Sequence, residues 1–289
     1  MLIKSWEKVH EPLPQFASFK RVSWEADIYP RYKGKTNPDD IAFLTNLIRE
    51  KQAKTILDLG VGGGVELSYI LTALKNAGYK VEVAEGNEVD PVFIGQAQER
   101  LEKGGHTVLI HQADWDSLDS ARPAYKRKFD FAYLLGNSLT YVGGNTREEN
   151  KTAQAKVLKN FAKLIESDGH LLFDTRDYDY IATIVQEAGD SADKLREAFT
   201  FTPNIYYQGV QKEVTLLPVY VDETRVCLHY YDEERKTWSL LEVYRVYHSE
   251  IKEILGDNFM LERIYRDFKP ENGASKDTTA FIQYLARRR

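Results

Sequence analysis

Apolar residues in this chain fall into two recurring patterns, short continuous runs and stripes spaced three and four apart, and their alternation predicts the elements. Ile41, Phe43, Leu44, Leu47 and Ile48 line one face of a helix that starts at Asn37-Pro38, Asn37 as N-cap and Pro38 in the first turn, and ends near Gln52. Residues 54–59 form the short apolar run of a buried parallel strand, with Asp58 interrupting it. Leu67, Ile70, Leu71 and Leu74 then predict a helix over 65–77. A second strand over 80–84 closes at Glu85-Gly-Asn; a helix over 93–101, a third strand over 107–111 and a fourth over 129–135 follow. Val157, Leu158, Phe161 and Leu164 face inward from a helix over 154–166, which stops at Asp168-Gly169 before a fifth strand over 170–174. Strands alternating with helices at this spacing imply parallel βαβ units with right-handed crossovers.

Past residue 200 the pattern changes. Segments 205–207, 210–221, 224–231 and 238–247 are rich in β-branched and aromatic residues and are divided by short polar turns, which predicts an antiparallel insertion over 200–248. Pro218 within it argues for an edge strand or a bulge. A helix over 249–255 precedes a closing antiparallel pair, 260–268 and 279–286. The expected fold class is α/β: a doubly wound, mostly parallel sheet with an antiparallel closing strand and a small antiparallel insertion after the fifth strand, in one domain over 1–289.

The first strand runs into Asp58-Leu-Gly-Val-Gly-Gly-Gly64, where four glycines let the backbone turn tightly and approach a ligand closely. Strand, glycine loop and helix form the first βα turn of a doubly wound sheet, the place where such sheets bind nucleotides. A dinucleotide fold keeps that helix N-terminus free for a pyrophosphate. An acid just before the glycines instead resembles the first motif of the class I S-adenosylmethionine-dependent methyltransferases, whose ligand carries an ammonium and no phosphate. Asp58, Gly60, Gly62 and Gly64 are the cofactor candidates here.

Composition changes little. The 289 residues carry a net charge of −5, with a basic run only at Arg287–Arg289, so nothing invites a nucleic acid. Cys227 is the single cysteine, which excludes an intramolecular disulfide and a thiolate zinc cluster, and no metal site is expected. No apolar run approaches the roughly 18 residues needed to span a bilayer, and no signal-peptide pattern opens the chain, so a cytoplasmic location is expected. The oligomeric state stays open, a homo-oligomer included.

Further candidates stand at the strand ends. An acid at the end of the second strand accepts from ribose hydroxyls in such folds; Glu85 is favoured because Gly86 follows it, with Glu88 as the competitor. After the third strand, Asp114 suits an adenine amino group and Trp115 offers a flat apolar surface to the ring, a core tryptophan being the plain alternative. Leu135-Gly-Asn-Ser138 follows the fourth strand and Asp174-Thr-Arg-Asp-Tyr-Asp179 the fifth. Leu135 counts among the cofactor positions. Asn137 is a neutral amide for an amine, and Arg176 a forked cation for a substrate carboxylate. The bland reading of Arg176 is an ion pair with Asp174, Asp177 or Asp179.

Ala77-Gly-Tyr-Lys-Val-Glu-Val-Ala-Glu-Gly-Asn87, Gln112-Ala-Asp-Trp115, Leu135-Gly-Asn-Ser138, Arg176-Asp-Tyr-Asp179, Asn204-Ile-Tyr-Tyr-Gln-Gly209 and Asp267-Phe-Lys-Pro270, in this order, resemble the glycine and glycine/sarcosine N-methyltransferases. The resemblance spans about 29–285. It implies S-adenosylmethionine as methyl donor and a small amino acid as acceptor. It places Gly60, Glu85, Asp114 and Trp115 on the cofactor and Asn137 and Arg176 on the acceptor's amine side and carboxylate. It also makes Tyr32 the N-terminal aromatic near the reacting methyl, with Tyr32 and Asn137 as catalytic candidates, and gives Tyr178 and Tyr207 as further site tyrosines. The chain departs from the family's pattern in Val-Gly-Gly-Gly64, in Thr175 before Arg176, and in lacking a basic residue over 37–39. No catalytic His stands in these motifs, so amine deprotonation is expected from solvent or from desolvation in the site. Competing readings keep the cofactor with another acceptor, small or macromolecular, or make the chain a non-catalytic nucleotide-binding protein; a dehydrogenase is disfavoured by Asp58 and by the Asp114-Trp115 pair.

Overall fold

The computed structural model describes residues 38–117, 128–189, 191, 194, 200–201, 206–207, 210–211, 214–232, 237–270 and 281–289. The described chain divides into two compact units. The larger comprises Thr36–Leu139, Lys151–Arg176 and Ser249–Arg289; the smaller includes Thr140–Asn150 and Asp177–His248.

The larger unit is built on an eight-stranded sheet in the order β3-β2-β1-β4-β5-β14-β12-β13. Its strands are β1 (Thr55–Asp58), β2 (Val83–Glu88), β3 (Leu109–Gln112), β4 (Phe129–Leu134), β5 (Ile165–Arg176), β12 (Phe259–Arg266), β13 (Lys269–Pro270) and β14 (Phe281–Arg288). β1 to β5 are parallel, and β14 inserts antiparallel between β5 and β12. Phe129, Phe131, Ala132, Tyr133 and Leu134 of β4 are all buried, as expected of a central strand covered on both faces. The strand order reverses between β1 and β4, which opens a crevice at their carboxyl ends.

Helices α1 (Pro38–Glu50), α2 (Val65–Asn76) and α3 (Pro91–Lys103) follow the predicted stripes. Ile41, Leu44, Leu47 and Ile48 of α1 and Leu67, Ile70, Leu71 and Leu74 of α2 share a buried cluster with Ile56, Tyr133, Leu172 and Leu285. Because side chains alternate along a strand, Asp58, Tyr133, Asp174 and Gln283 lie on that same face. Asn37, the expected cap of α1, lies outside the described residues.

Two boundaries differ from expectation. Helix α4 (Arg147–Leu164) starts seven residues before the expected 154. Thr146 Oγ1 accepts from Glu149 N at 3.2 Å and the Glu149 carboxylate accepts from Thr146 N at 3.2 Å, a capping box that starts the helix in a polar segment without an apolar stripe. β2 starts at Val83, where its register meets the first residue of β1, and continues through Glu88. Gly86 therefore makes no turn; it pairs with Asp58 and Ile110, and a Cβ there would stand 3.2 Å from Val61 Cβ.

The smaller unit carries helix α5 (Tyr178–Ala188) and an antiparallel sheet of β6 (Thr200–Phe201), β9 (Val214–Val221), β10 (Arg225–Asp232) and β11 (Thr237–Tyr244), in the order β11-β10-β9-β6. β7 (Tyr206–Tyr207) and β8 (Val210–Gln211) form a separate pair. The β9–β10 register slips between Cys227 and Leu228, opposite Tyr220 and Pro218, so the proline sits at a bulge. α6 (Ile251–Leu255) returns the chain to the larger unit.

Candidate active site

The glycine turn after β1 is held by backbone donors meeting carboxylates. Gly60 N donates to Asp58 Oδ1 at 3.1 Å and Gly62 N to Glu88 Oε2 at 3.0 Å, while Val61 N reaches Asn87 O at 3.0 Å. Gly62 and Gly64 adopt left-handed backbone, φ 48° and 76°. At Gly64 a Cβ would come within 2.8 Å of Ala97 Cα, so the glycine is required by close helix approach as well as by φ. Among the described residues no side chain caps α2 at Gly64.

Glu88 closes β2. Its other oxygen accepts from Val89 N at 2.8 Å and Asp90 N at 3.1 Å, which fixes the carboxylate at the mouth of the glycine turn. The position expected of Glu85 is thereby corrected: Glu85 lies inside the strand, not at its end, buried on the opposite face and bonded to His111 Nε2 at 2.5 Å. Expecting the strand to end at Glu85 places the acid three residues early, because Gly86 reads as a turn in sequence.

After β3, Asp114 is exposed and accepts from Asp116 N at 3.0 Å. Trp115 donates its indole N–H to Leu59 O at 2.7 Å and packs edge-on against Phe161. A Cβ added to Gly60 would meet Leu134 Cδ1 at 3.2 Å and the Trp115 ring at 3.7 Å, so the tryptophan borders the first glycine. Leu135 packs half-buried against the core below.

After β4, Gly136 and Asn137 both take left-handed conformations, φ 77° and 63°. The buried Asp174 carboxylate gathers their N–H groups, Gly136 N at 3.2 Å and Asn137 N at 2.6 Å. Asn137 Oδ1 in turn accepts from Arg176 N at 2.9 Å, tying the β4 turn to the end of β5. The Arg176 guanidinium lies over the Phe281 ring, 4.6 Å from its centre. Nearby, Asp174 holds the turn, Asp177 Oδ1 caps α5 by accepting from Tyr180 N at 3.0 Å, and Asp179 pairs with Arg245 at 3.0 Å. Tyr178 is fully buried in the smaller unit and Tyr207 lies in β7; Tyr32 lies outside the described residues.

Negative charge collects on the α1 side of this edge. α1 ends at the amino edge of the sheet, where Lys51 Nζ bonds Glu262 at 2.9 Å and Glu262 also faces His170 in β5. Its first turn, with Asp39 and Asp40, is consequently at the carboxyl edge. Burial, and then the charges of Asp174, Asp39, Glu66 and Asp267, push the Asp40 carboxyl up to about 7. Burial also lifts the Tyr133 phenol well above its ordinary range, with Asp58 and Glu66 adding to it. Asp40, Asp174 and Gln283 were not singled out in the sequence as site residues; Asp40 looks like first-turn helix chemistry and Gln283 like strand interior.

A turn in which the N–H groups of Gly60 and Gly62 already face carboxylates disfavours a pyrophosphate and favours a cation. No family model matches the chain. It is 28% identical over 142 residues to glycine N-methyltransferase from Rattus norvegicus, covering 48% of this chain and 46% of that protein. To glycine/sarcosine N-methyltransferase from Halorhodospira halochloris it is 26% identical over 198 residues, covering 68% and 62%. The chain thus spans about half to three-fifths of the length of these curated relatives. Among solved structures it resembles a S-adenosylmethionine-dependent methyltransferase from Clostridium acetobutylicum, with TM-score 0.60 and 16% identity over 88% of this chain and 93% of that one. It equally resembles an amino pentose methyltransferase from Micromonospora echinaspora, with TM-score 0.60 and 15% identity over 97% and 100%. The fold is that of the S-adenosylmethionine-dependent methyltransferases. The similarity to glycine and glycine/sarcosine N-methyltransferases, expected from the motifs, holds at low identity. Among the described residues no helix is long and apolar enough to cross a membrane.

Proposed function

We propose that this chain is an S-adenosylmethionine-dependent N-methyltransferase acting on the amine of a small, carboxylate-bearing substrate such as glycine or sarcosine. The observation that carries the reading is the pairing of a carboxylate-lined glycine turn with Asn137 and Arg176 at the neighbouring strand ends. The cofactor, when bound, supplies an electrophilic sulfonium methyl. Glu88 at the end of β2 suits the ribose hydroxyls, and we assign it that role in place of Glu85. Gly60, Gly62 and Gly64 give the backbone approach, and Asp58 adds negative charge beneath the turn. Trp115 borders the same turn, and we assign it with the adjacent Asp114 to the adenine. Arg176, braced against Phe281 with its backbone held by Asn137, suits the acceptor carboxylate. Tyr32, Tyr178 and Tyr207 are assigned to the acceptor side by resemblance.

In-line displacement at a methyl carbon needs no covalent enzyme intermediate, so alignment of the nucleophile provides much of the acceleration. The test is a labelled-methyl assay against glycine, sarcosine, dimethylglycine and other small amines, with calorimetric titration of the donor. Arg176→Ala should cut kcat/KM for the amino acid by about 30-fold or more while leaving donor affinity nearly intact. Glu88→Ala should weaken donor binding about 10-fold or more, and Glu85→Ala should not when the protein is folded. A donor that binds while only macromolecules are labelled would replace the small-amine acceptor with a larger one.

A further inference from the structure

An amine attacks a methyl group only through a free lone pair, and a small amino acid carries its amine as an ammonium at neutral pH. Resting on the methyltransferase reading, we propose that Asp40 is the general base that removes this proton. α1 lies on the sheet face that carries Asp58, Tyr133, Asp174 and Gln283, and its first turn stands at the carboxyl edge where Asn137 and Arg176 end their strands. Asp174 is common to both groups. It holds the Gly136–Asn137 turn through two N–H groups, and its charge acts on Asp40.

A second observation points to a ligand at this place. Gln283 pairs with Asp174 across β14 and β5 and is fully buried. Its Oε1 accepts from Phe268 N at 2.8 Å, yet its Nε2 has no hydrogen-bond partner among the described residues. Buried donors are normally satisfied, and a donor left open beside a crevice suits an acceptor oxygen brought by a ligand. A zwitterion, with an ammonium for the acids and a carboxylate for the donors, answers both features.

Among the described residues, charged groups facing Asp40 include Asp39 on its own helix, Glu66 from α2, Asp174 from β5 and Asp267 from the turn after β12. Burial foremost, with these like charges, brings the carboxyl to about 7, so near neutral pH it exists in both forms, as a general base requires. The step balances simply. The ammonium N–H bond breaks, the proton joins an Asp40 carboxylate oxygen, the nitrogen keeps the electron pair, and the proton leaves to water after turnover.

The experiment compares wild type with Asp40→Asn on two acceptors. One is glycine; the other is aminooxyacetate, which also carries a carboxylate but whose nitrogen is already unprotonated at neutral pH. With glycine, wild-type kcat should rise with pH through an inflection near 7, and Asp40→Asn should lose both the inflection and about 100-fold or more in rate. With aminooxyacetate the two proteins should differ by less than about 3-fold, a selectivity that a merely structural role cannot produce. An equal loss on both acceptors, or an inflection kept by the variant, would overturn the base. A wild type that binds the donor and methylates neither acceptor nor any other small amine overturns the functional reading, and the base with it.

Discussion

The turn after β1 and the turn after β4 solve one backbone problem with different residues. Each places two left-handed residues at the carboxyl edge of a parallel strand, and in each a carboxylate from a neighbouring strand accepts from the turn's backbone, Glu88 from one N–H in the first and Asp174 from two in the second. In the first turn both left-handed positions are glycine, and Gly64 is additionally wedged against α3. In the second, one is Asn137, whose side chain reaches across to Arg176 N. Glycine gives clearance for a ligand or a helix; asparagine tolerates the same angles and adds a bond. The first turn is shaped for close approach, the second for bracing.

The largest effect is expected at Gly64. Gly64→Ala combines left-handed strain with a clash against helix backbone, and should lower unfolding free energy by about 3 kcal/mol or more. Gly136→Ala meets nothing closer than Ser138 Oγ at 3.9 Å and should cost about 1 kcal/mol. Equal losses in urea titrations would mean that φ alone, not clearance, separates the two turns. Next comes Asp174→Ala, which strands two N–H groups and should cost about 2–4 kcal/mol. Relief of its repulsion with Asp40 works the other way, so a net gain in stability would show the charge cluster to be the stronger effect. Asn137 sharpens the contrast more finely. Asn137→Ala should cost about 2 kcal/mol and Asn137→Gly about 1, since glycine restores the angle but not the bond to Arg176. Both should weaken acceptor kinetics; a glycine variant with unchanged kinetics would remove bracing from the role of the second turn.

The remaining effect is a pH dependence. Asp40 binds its proton more tightly folded, at about 7, than at its ordinary 3.8. The stability this gives is fully present below about 4 and is lost as pH rises through about 7. Melting temperatures of wild type and Asp40→Asn should therefore separate in favour of the variant between pH 5 and 8. A constant difference across that range would deny the shift.

Most of the fold was legible in sequence because it rests on local signals. Continuous apolar runs marked β1 and β4, a three-and-four stripe marked α1 and α2, and the turn from β-branched runs to polar breaks marked the antiparallel strands of the smaller unit. The capping box of Thr146 and Glu149 was missed since it starts a helix without an apolar stripe. The site was legible only where a residue type declares its conformation. Gly62 and Gly64 did so; Gly86 misled, because its need is room for Val61 inside the sheet rather than a turn. That reading of Gly86 is what favoured Glu85 over Glu88. Asp40 and Gln283 had no local signature at all, as their environment is made by strands and turns far away in the chain.

The placement of β14 bears on how the protein is made. β5 leaves the ribosome long before residues 281–288 exist, yet its other edge is designed for them, with Arg176 awaiting Phe281 and Asp174 awaiting Gln283. β12 cannot substitute, because it reaches the sheet only through β14. The nascent sheet thus carries an open edge beside Asp174 until β14 slots between β5 and β12, a nonlocal pairing of the slow kind. The glycine turn after β1 can therefore form early in synthesis, whereas the end of β5 that carries Asp174 and Arg176 is completed only when β14 arrives.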